Sequence, residues 1–255
     1  MKILTSGDNA HIKLIQKLKM KKYRDRNGQY LLEGFRLIDE ALISSQNAID
    51  LFISTSLQDD VRISQYLDAS KAQVYWVDEG LFSKISSTDT TQGILAICTM
   101  EEYKDIKGDY ILLLDRIQDP GNLGTIIRTA DAAGFSEIVC SKGCVDVYNP
   151  KTIRSTMGSI FHIHISQDHN LSQYIETLSA DYKIIGTSLE TNKRYDHLFN
   201  KGKYALIIGN EGEGIQKELL KLCHHVVKIP IYGKAESLNA SVAAGIMMYH
   251  LATLR

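Results

Sequence analysis

Apolar residues recur along this chain in two rhythms, helical spacing and short continuous runs. Ile12, Ile15 and Leu18, with Leu14 beside them, fall at helical spacing and predict a helix within 9–26. Beyond it, YLLEG (30–34) predicts a short strand and FRLIDEALIS (35–44) an amphipathic helix. IDLFIST (49–55), QVYWVD (73–78) and GILAICTM (93–100) predict strands, with VRISQYLDAS (61–70) a helix between the first two. This is the alternation of a small α/β unit. EEYKDIKGD (101–109) then breaks the apolar pattern and predicts a linker, which places a boundary between domains 1–104 and 105–255.

The second domain alternates again. YILLLD (110–115) is a continuous apolar run, the mark of a strand buried on both faces. TIIRTADAAG (125–134) predicts a helix closed by glycine. EIVCSK (137–142), FHIHI (161–165), KIIGTSL (183–189), YALIIGNE (204–211) and VVKIPI (226–231) predict strands. LSQYIETLSA (171–180), IQKELLKLC (215–223) and NASVAAGIMMYHLATL (239–254) predict helices. The expected fold is α/β with a mainly parallel sheet, in which ligands sit beyond the carboxyl ends of the strands.

Composition narrows the function classes. No apolar run reaches the ~18 residues that span a bilayer, and MKILTSGDNAHIKL lacks the apolar core of a signal peptide. The expectation is a cytoplasmic protein with no membrane partner. Cys98, Cys140, Cys144 and Cys223 suit a reducing compartment and give no paired C-x-x-C spacing, so no metal is expected and the thiols are read as buried and free. His162, His164, His224 and His225 are read as structural, and Trp76 as a core residue of the first domain. Net charge is −1, but positive charge concentrates in 9–26, where Lys13, Lys17, Lys19, Lys21, Lys22, Arg24 and Arg26 face one acid, Asp25. Such a helix is either a solvated face or a phosphate-binding surface.

Three polar, glycine-containing segments fall at predicted strand ends: 115–134, 209–215 and 229–245. GNEGEG has the wrong glycine order for a dinucleotide fingerprint and carries acids where a pyrophosphate would sit. GKAES lacks the upstream glycine and the hydroxyl residue next to lysine of a P-loop. These loops disfavour nicotinamide and nucleoside triphosphate chemistry. They allow a cationic or zwitterionic ligand.

The same segments resemble the three motifs of the SpoU (TrmH) branch of the SPOUT RNA methyltransferases. Asn122, Gly124 and Arg128 match N-x-G-x-x-x-R, and Gly209 to Gly214 match the G-N-E-G-x-G turn. Ile229, Pro230, Gly233, Ser237, Leu238, Asn239, Ser241 and Ala243 match the third motif. Ala240 departs from the family's frequent valine at a packing position. The basic first helix, YLLEGFRLIDEAL and TDTTQGILAI resemble, more loosely, the family's L30e-like substrate-binding domain.

The resemblance implies a trefoil-knotted second domain, S-adenosylmethionine as cofactor, and methyl transfer to a ribose 2′-hydroxyl. It also implies a homodimer, and RNA as partner, ribosomal RNA ahead of transfer RNA. It gives Arg128 the central role. A guanidinium keeps its proton in proteins, so its part is to grip the neighbouring phosphate and hold developing negative charge. Glu211 is expected to orient Arg128 or to accept a bond from substrate. Asn122, Ser237 and Asn239 are expected to anchor loops or place the ribose, which is compatible with capping roles. Thr187, Gly209, Asn210, Ile229 and Leu238 are the implied cofactor contacts. Lys17, Lys21, Lys22 and Arg24 are the expected RNA contacts. Two other readings stand beside this one: a non-catalytic RNA-binding or ribosome-assembly factor on the same fold, and a nicotinamide oxidoreductase.

Overall fold

The computed structural model describes residues 3–44, 48–69, 73–100, 108–178, 180–197 and 201–254. Most of the expected linker, 101–107, lies outside them. The chain forms two compact units, Met1–Glu102 with Tyr148–Phe161, and Tyr103–Val147 with His162–Arg255.

The first unit is built on a five-stranded sheet of order β1-β4-β3-β5-β2. Its strands are β1 (Ile3–Leu4), β2 (Gln29–Glu33), β3 (Ala48–Ser54), β4 (Gln73–Val77) and β5 (Ile94–Thr99). β1, β4 and β3 run parallel, and β5 is antiparallel to both its neighbours. Period-two alternation on β5 sends Ile94, Ala96 and Cys98 to one core and Leu95 and Ile97 to the other. A sheet buried on both faces is why this segment reads as one apolar run.

The predicted basic helix divides into α1 (Ala10–Leu18) and α2 (Lys21–Asn27). Ile12, Ile15 and Leu18 are fully buried. Arg24 is only 2% exposed and donates to the Leu18 carbonyl at 2.8 Å, tying α2 back to the end of α1. This overturns the expectation that Arg24 faces RNA. Lys19 is also committed, donating to the Ser86 carbonyl at 2.7 Å. Lys17, Lys21, Lys22 and Arg26 remain exposed.

α3 (Phe35–Ile43) and α4 (Ile63–Ala69) pack on one face of the sheet, with Trp76 in the same core. α5 (Glu79–Ile85), which the apolar pattern does not predict, packs with α1 on the other and starts where Asp78 accepts from the Leu81 N–H. The later segment Tyr148–Phe161 completes the first of these cores. Its helix α7 (Pro150–Thr156) buries Ile153 there, with Tyr148, Ile160 and Phe161 packed alongside. The Tyr148 ring lies 4.6 Å from that of Tyr30. At Gly158, held at φ +103°, an added Cβ would come within 2.7 Å of the Glu40 side chain, so only glycine fits this approach to α3.

The second unit is a six-stranded, wholly parallel sheet of order β11-β9-β10-β6-β7-β8. β6 (Tyr110–Leu114) and β10 (Lys203–Ile208) are central, with β7 (Glu137–Ser141) and β8 (His164–His169) on one side and β9 (Tyr182–Thr187) and β11 (His225–Val227) on the other. FHIHI is only partly strand: Phe161 ends a 3-10 turn, and β8 begins at His164. The remaining helices are α6 (Pro120–Ala132), α8 (Leu171–Glu176), α9 (Lys217–Leu222) and α10 (Ala240–Ala252). α10 packs on α6 and β10, burying Ala244, Met247, Met248 and Leu251, while Val242 and Tyr249 stay about half exposed at 50% and 53%. His224 is structural, its Nδ1 accepting from the Ile184 N–H at 2.9 Å. The four cysteines are free, and burial pushes the Cys98 thiol up to about 12. No helix among the described residues is long and apolar enough to cross a membrane.

Candidate active site

The three glycine-containing segments meet at the carboxyl ends of β6, β10 and β11. The first begins α6 earlier than the apolar pattern suggests. Asp119 caps the helix by accepting from the Asn122 N–H at 2.8 Å, and Pro120 takes the first turn, where a missing N–H costs nothing. Asn122 therefore sits in the first turn of α6 and Arg128 further along it. The second segment is a tight turn closed by Asn210 and Gly214, which exchange backbone bonds of 3.1 and 3.0 Å. Asn210 Oδ1 accepts from the N–H groups of Gly212 and Glu213, while its Nδ2 donates to the Arg116 carbonyl at 2.8 Å. The third segment ends in Asn239, whose Oδ1 caps α10 by accepting from the Ser241 N–H at 2.8 Å.

Asn122 joins the three. Its Oδ1 accepts from Asn239 Nδ2 at 2.9 Å, and its Nδ2 donates to Glu211 Oε1 at 3.0 Å. Glu211 also accepts from the backbone N–H groups of Asp119 and Gln118, at 3.2 and 3.3 Å. Partial burial pushes the Glu211 carboxyl up, but the bond from Asn122 and the backbone bonds outweigh it and hold the group below its usual range. The carboxylate thus stays charged at neutral pH and suits accepting hydrogen bonds rather than giving up a proton.

Glu211 does not orient Arg128, contrary to that expectation: its carboxylate is engaged by the first loop and Asn122. The Arg128 side chain is exposed on α6 and, among the described residues, makes no hydrogen bond or ion pair. It is free to meet a ligand. Ser237 is exposed in the third segment.

Beside this chain of amides lies a cleft of about 380 Å³, within the usual size for a small-molecule site. Thr187, Gly209, Asn210, Ile229 and Leu238 all line it, with Ser237. It is lined by the 208–215 turn, by apolar Leu189, Leu220, Ile229 and Leu238, and by the small residues Ala240 and Ala243 of α10. Glu190, Glu211 and Glu213 give it acid, only partly offset by Lys217 and Lys228. Such a lining suits a flat apolar ring and a zwitterionic tail better than a pyrophosphate. Among the described residues no group of three or more His, Cys, Asp or Glu is placed to hold a metal ion.

Sequence reasoning missed Asp115, Arg116 and Gln216, which bridge the first two segments. The one local signal was an acid ending the apolar run YILLLD.

Residues 109–249 match the SpoU rRNA methylase family, and residues 9–96 match the MRM3-like substrate binding domain. The chain is 41% identical to the 23S rRNA (guanosine(2553)-2′-O)-methyltransferase RlmP of Bacillus subtilis, over 98% of this chain and 99% of that protein. Among solved structures, the AdoMet-bound rRNA methyltransferase from Sinorhizobium meliloti superposes with TM-score 0.86 at 32% identity, covering 99% of this chain and 97% of that one. The SpoU methyltransferase AviRb from Streptomyces viridochromogenes, in complex with AdoMet, gives TM-score 0.89 at 25% identity, covering 96% and 97%.

Proposed function

The chain belongs to the SpoU rRNA methylase family, and from that premise we propose that it moves a methyl group from S-adenosylmethionine to a ribose 2′-hydroxyl of ribosomal RNA. The observation that carries the reading is the junction of the amide chain Asn239–Asn122–Glu211 with the cleft, which share Glu211. Cofactor and acceptor chemistry then lie side by side.

When bound, the donor supplies an electrophilic methyl on a sulfonium. Backbone at Gly209, Ile229 and Leu238, with Thr187 and Asn210, holds the adenosyl part, and the acid lining tolerates positive charge. Arg128 would grip the phosphate next to the target ribose and stabilise negative charge while the 2′-hydroxyl gives up its proton to solvent and its oxygen takes the methyl, the methyl–sulfur bond breaking to leave S-adenosylhomocysteine. Asn122, Asn239 and Ser237 orient the ribose, and Glu211 fixes Asn122. Intact Arg128, Glu211 and Asn239 disfavour a non-catalytic factor, and the acidic turn disfavours a nicotinamide cofactor. The test is transfer of a labelled methyl from the donor to unmodified ribosomal RNA, followed by alkaline hydrolysis. A blocked 2′-oxygen leaves a dinucleotide resistant to cleavage; a base-methylated product refutes the ribose assignment.

The trefoil knot rests on membership of the family, and the chain's return from edge strand β11 to lay α10 over α6 and β10 is compatible with it. The first domain is taken as L30e-like and RNA-binding, acting for a catalytic second domain, and ribosomal RNA as substrate makes the cytoplasm the place of work. Exposed Val242 and Tyr249 on α10 support a homodimer. A monomeric mass by light scattering at micromolar concentration refutes it.

Phosphate binding by the first domain falls to Lys17, Lys21 and Lys22, all exposed. Changing these three to Ala should weaken RNA binding and flatten its salt dependence, by roughly one unit of log–log slope for each phosphate no longer neutralised. Arg24→Ala should instead cost about 1–3 kcal/mol of stability, because it leaves the buried Leu18 carbonyl without its donor. Titrations at two salt concentrations and a melting curve separate the effects. An unchanged slope in the triple variant returns these lysines to a solvated face.

A further inference from the structure

Asp115 follows β6 directly and is fully buried. A carboxylate taken out of water must have its oxygens filled. Here each oxygen takes one donor from each of two loops. Oδ1 accepts from Gln216 Nε2 at 2.7 Å and from Arg116 Nε at 3.0 Å. Oδ2 accepts from the Gln216 N–H at 2.8 Å and from Arg116 Nη2 at 3.4 Å. Arg116 belongs to the loop that runs into α6, and Gln216 follows the glycine turn after β10.

Arg116 is itself unusual. Its φ of +56° lies in the left-handed region, which long side chains avoid and which persists where surrounding interactions over-determine it. Those interactions are present. The guanidinium donates to the Glu213 carboxylate and, at 3.4 Å, to the Gly214 carbonyl. The Arg116 N–H donates to Ser141 Oγ at 2.9 Å, and its carbonyl accepts from Asn210 Nδ2 at 2.8 Å. Asn210, Glu213 and Gly214 are all residues of the cleft wall. Glu211, which receives Asn122, lies between them.

We propose that Asp115 and Arg116 are positioning residues for methyl transfer: together they lock the loop carrying Asn122 to the turn that walls the donor cleft. Asn122 and Glu211 are thereby held in register before either ligand arrives. This rests on the cleft being the donor site. A plain turn role for Arg116 makes a different prediction, because glycine adopts φ +56° without strain.

Calorimetry with S-adenosylhomocysteine on the full chain, with methyl-transfer kinetics and thermal unfolding alongside, tests the assignment. Wild type that fails to bind overturns the donor-site reading itself. With wild type binding, Arg116→Gly should lower the melting temperature, because buried Asp115 loses two of its donors, and at temperatures where it is still folded should weaken S-adenosylhomocysteine by about tenfold to a hundredfold, the range for losing charge-assisted hydrogen bonds. Turnover at saturating donor should fall as well, since Glu211 moves with the turn. Arg116→Lys should restore part of both losses. Asp115→Asn should reproduce the affinity loss if it folds. Wild-type affinity and turnover in Arg116→Gly would leave Arg116 as a turn residue and overturn the proposal, whatever Asp115→Asn does.

Discussion

Arg128→Ala is expected to lower methyl transfer by about 10²–10³-fold, the usual cost of removing a group that stabilises charge in a transition state. Donor affinity should stay within a few fold. The structure makes this a sharp test, because the side chain is exposed and has no hydrogen bond or ion pair to lose among the described residues. Alanine is also the better helix former, so α6 should not weaken. A fall in rate therefore reports what the guanidinium does for RNA or for the reacting oxygen. Single-turnover transfer from a labelled donor, with S-adenosylhomocysteine binding measured on the same preparation, checks it. Near wild-type turnover would remove Arg128 from the mechanism.

Gly209→Ala should be as damaging for a different reason. An added Cβ would lie 2.3 Å from both the Gly214 carbonyl carbon and the Ile215 nitrogen. These are backbone atoms, so no side chain can rotate away. The turn would have to open, breaking the pair of Asn210–Gly214 bonds and moving one wall of the cleft. Overpacking of this kind costs about 1–3 kcal/mol, and donor binding should fall below detection at micromolar concentration. Gly233→Ala is the control. It sits in the third motif, yet a Cβ there meets nothing within 4 Å. It should leave stability and donor affinity unchanged. A melting curve and a binding isotherm for each variant decide the matter, and a Gly209→Ala protein that binds normally would show the turn to be adaptable.

Period and turn chemistry carried much of the fold in the sequence. The buried parallel strands read as apolar runs, and helices such as α3 kept their spacing. What escaped depends on interactions across the chain or on caps. α6 starts at Pro120 because Asp119 caps it, while the apolar rhythm is visible only from Thr125. The basic helix breaks after Leu18, where buried Arg24 folds α2 back, and a lysine-rich pattern gives no sign of that. The pattern in FHIHI fits a strand, but Phe161 packs with the first unit and pairing begins at His164. In the site, Asn122, Glu211 and Asn239 were visible through motif resemblance, whereas their mutual bonds were not. The Asp115–Gln216 bond was illegible, since it joins residues 101 positions apart.

The return of Tyr148–Phe161 to the first unit sets an order of events during synthesis. A ribosome that has finished β5 has made every strand of the first sheet, but not the residues that close one face of its core. Ile153, Tyr148, Ile160 and Phe161 emerge only after β6, α6 and β7. Vectorial folding of the amino-terminal half thus stalls with apolar surface uncovered, the kind of intermediate that aggregates. It completes when a later stretch of chain arrives. A gene fragment ending at residue 104 would express that stalled form, so the first unit can be transplanted only with the 148–161 segment supplied.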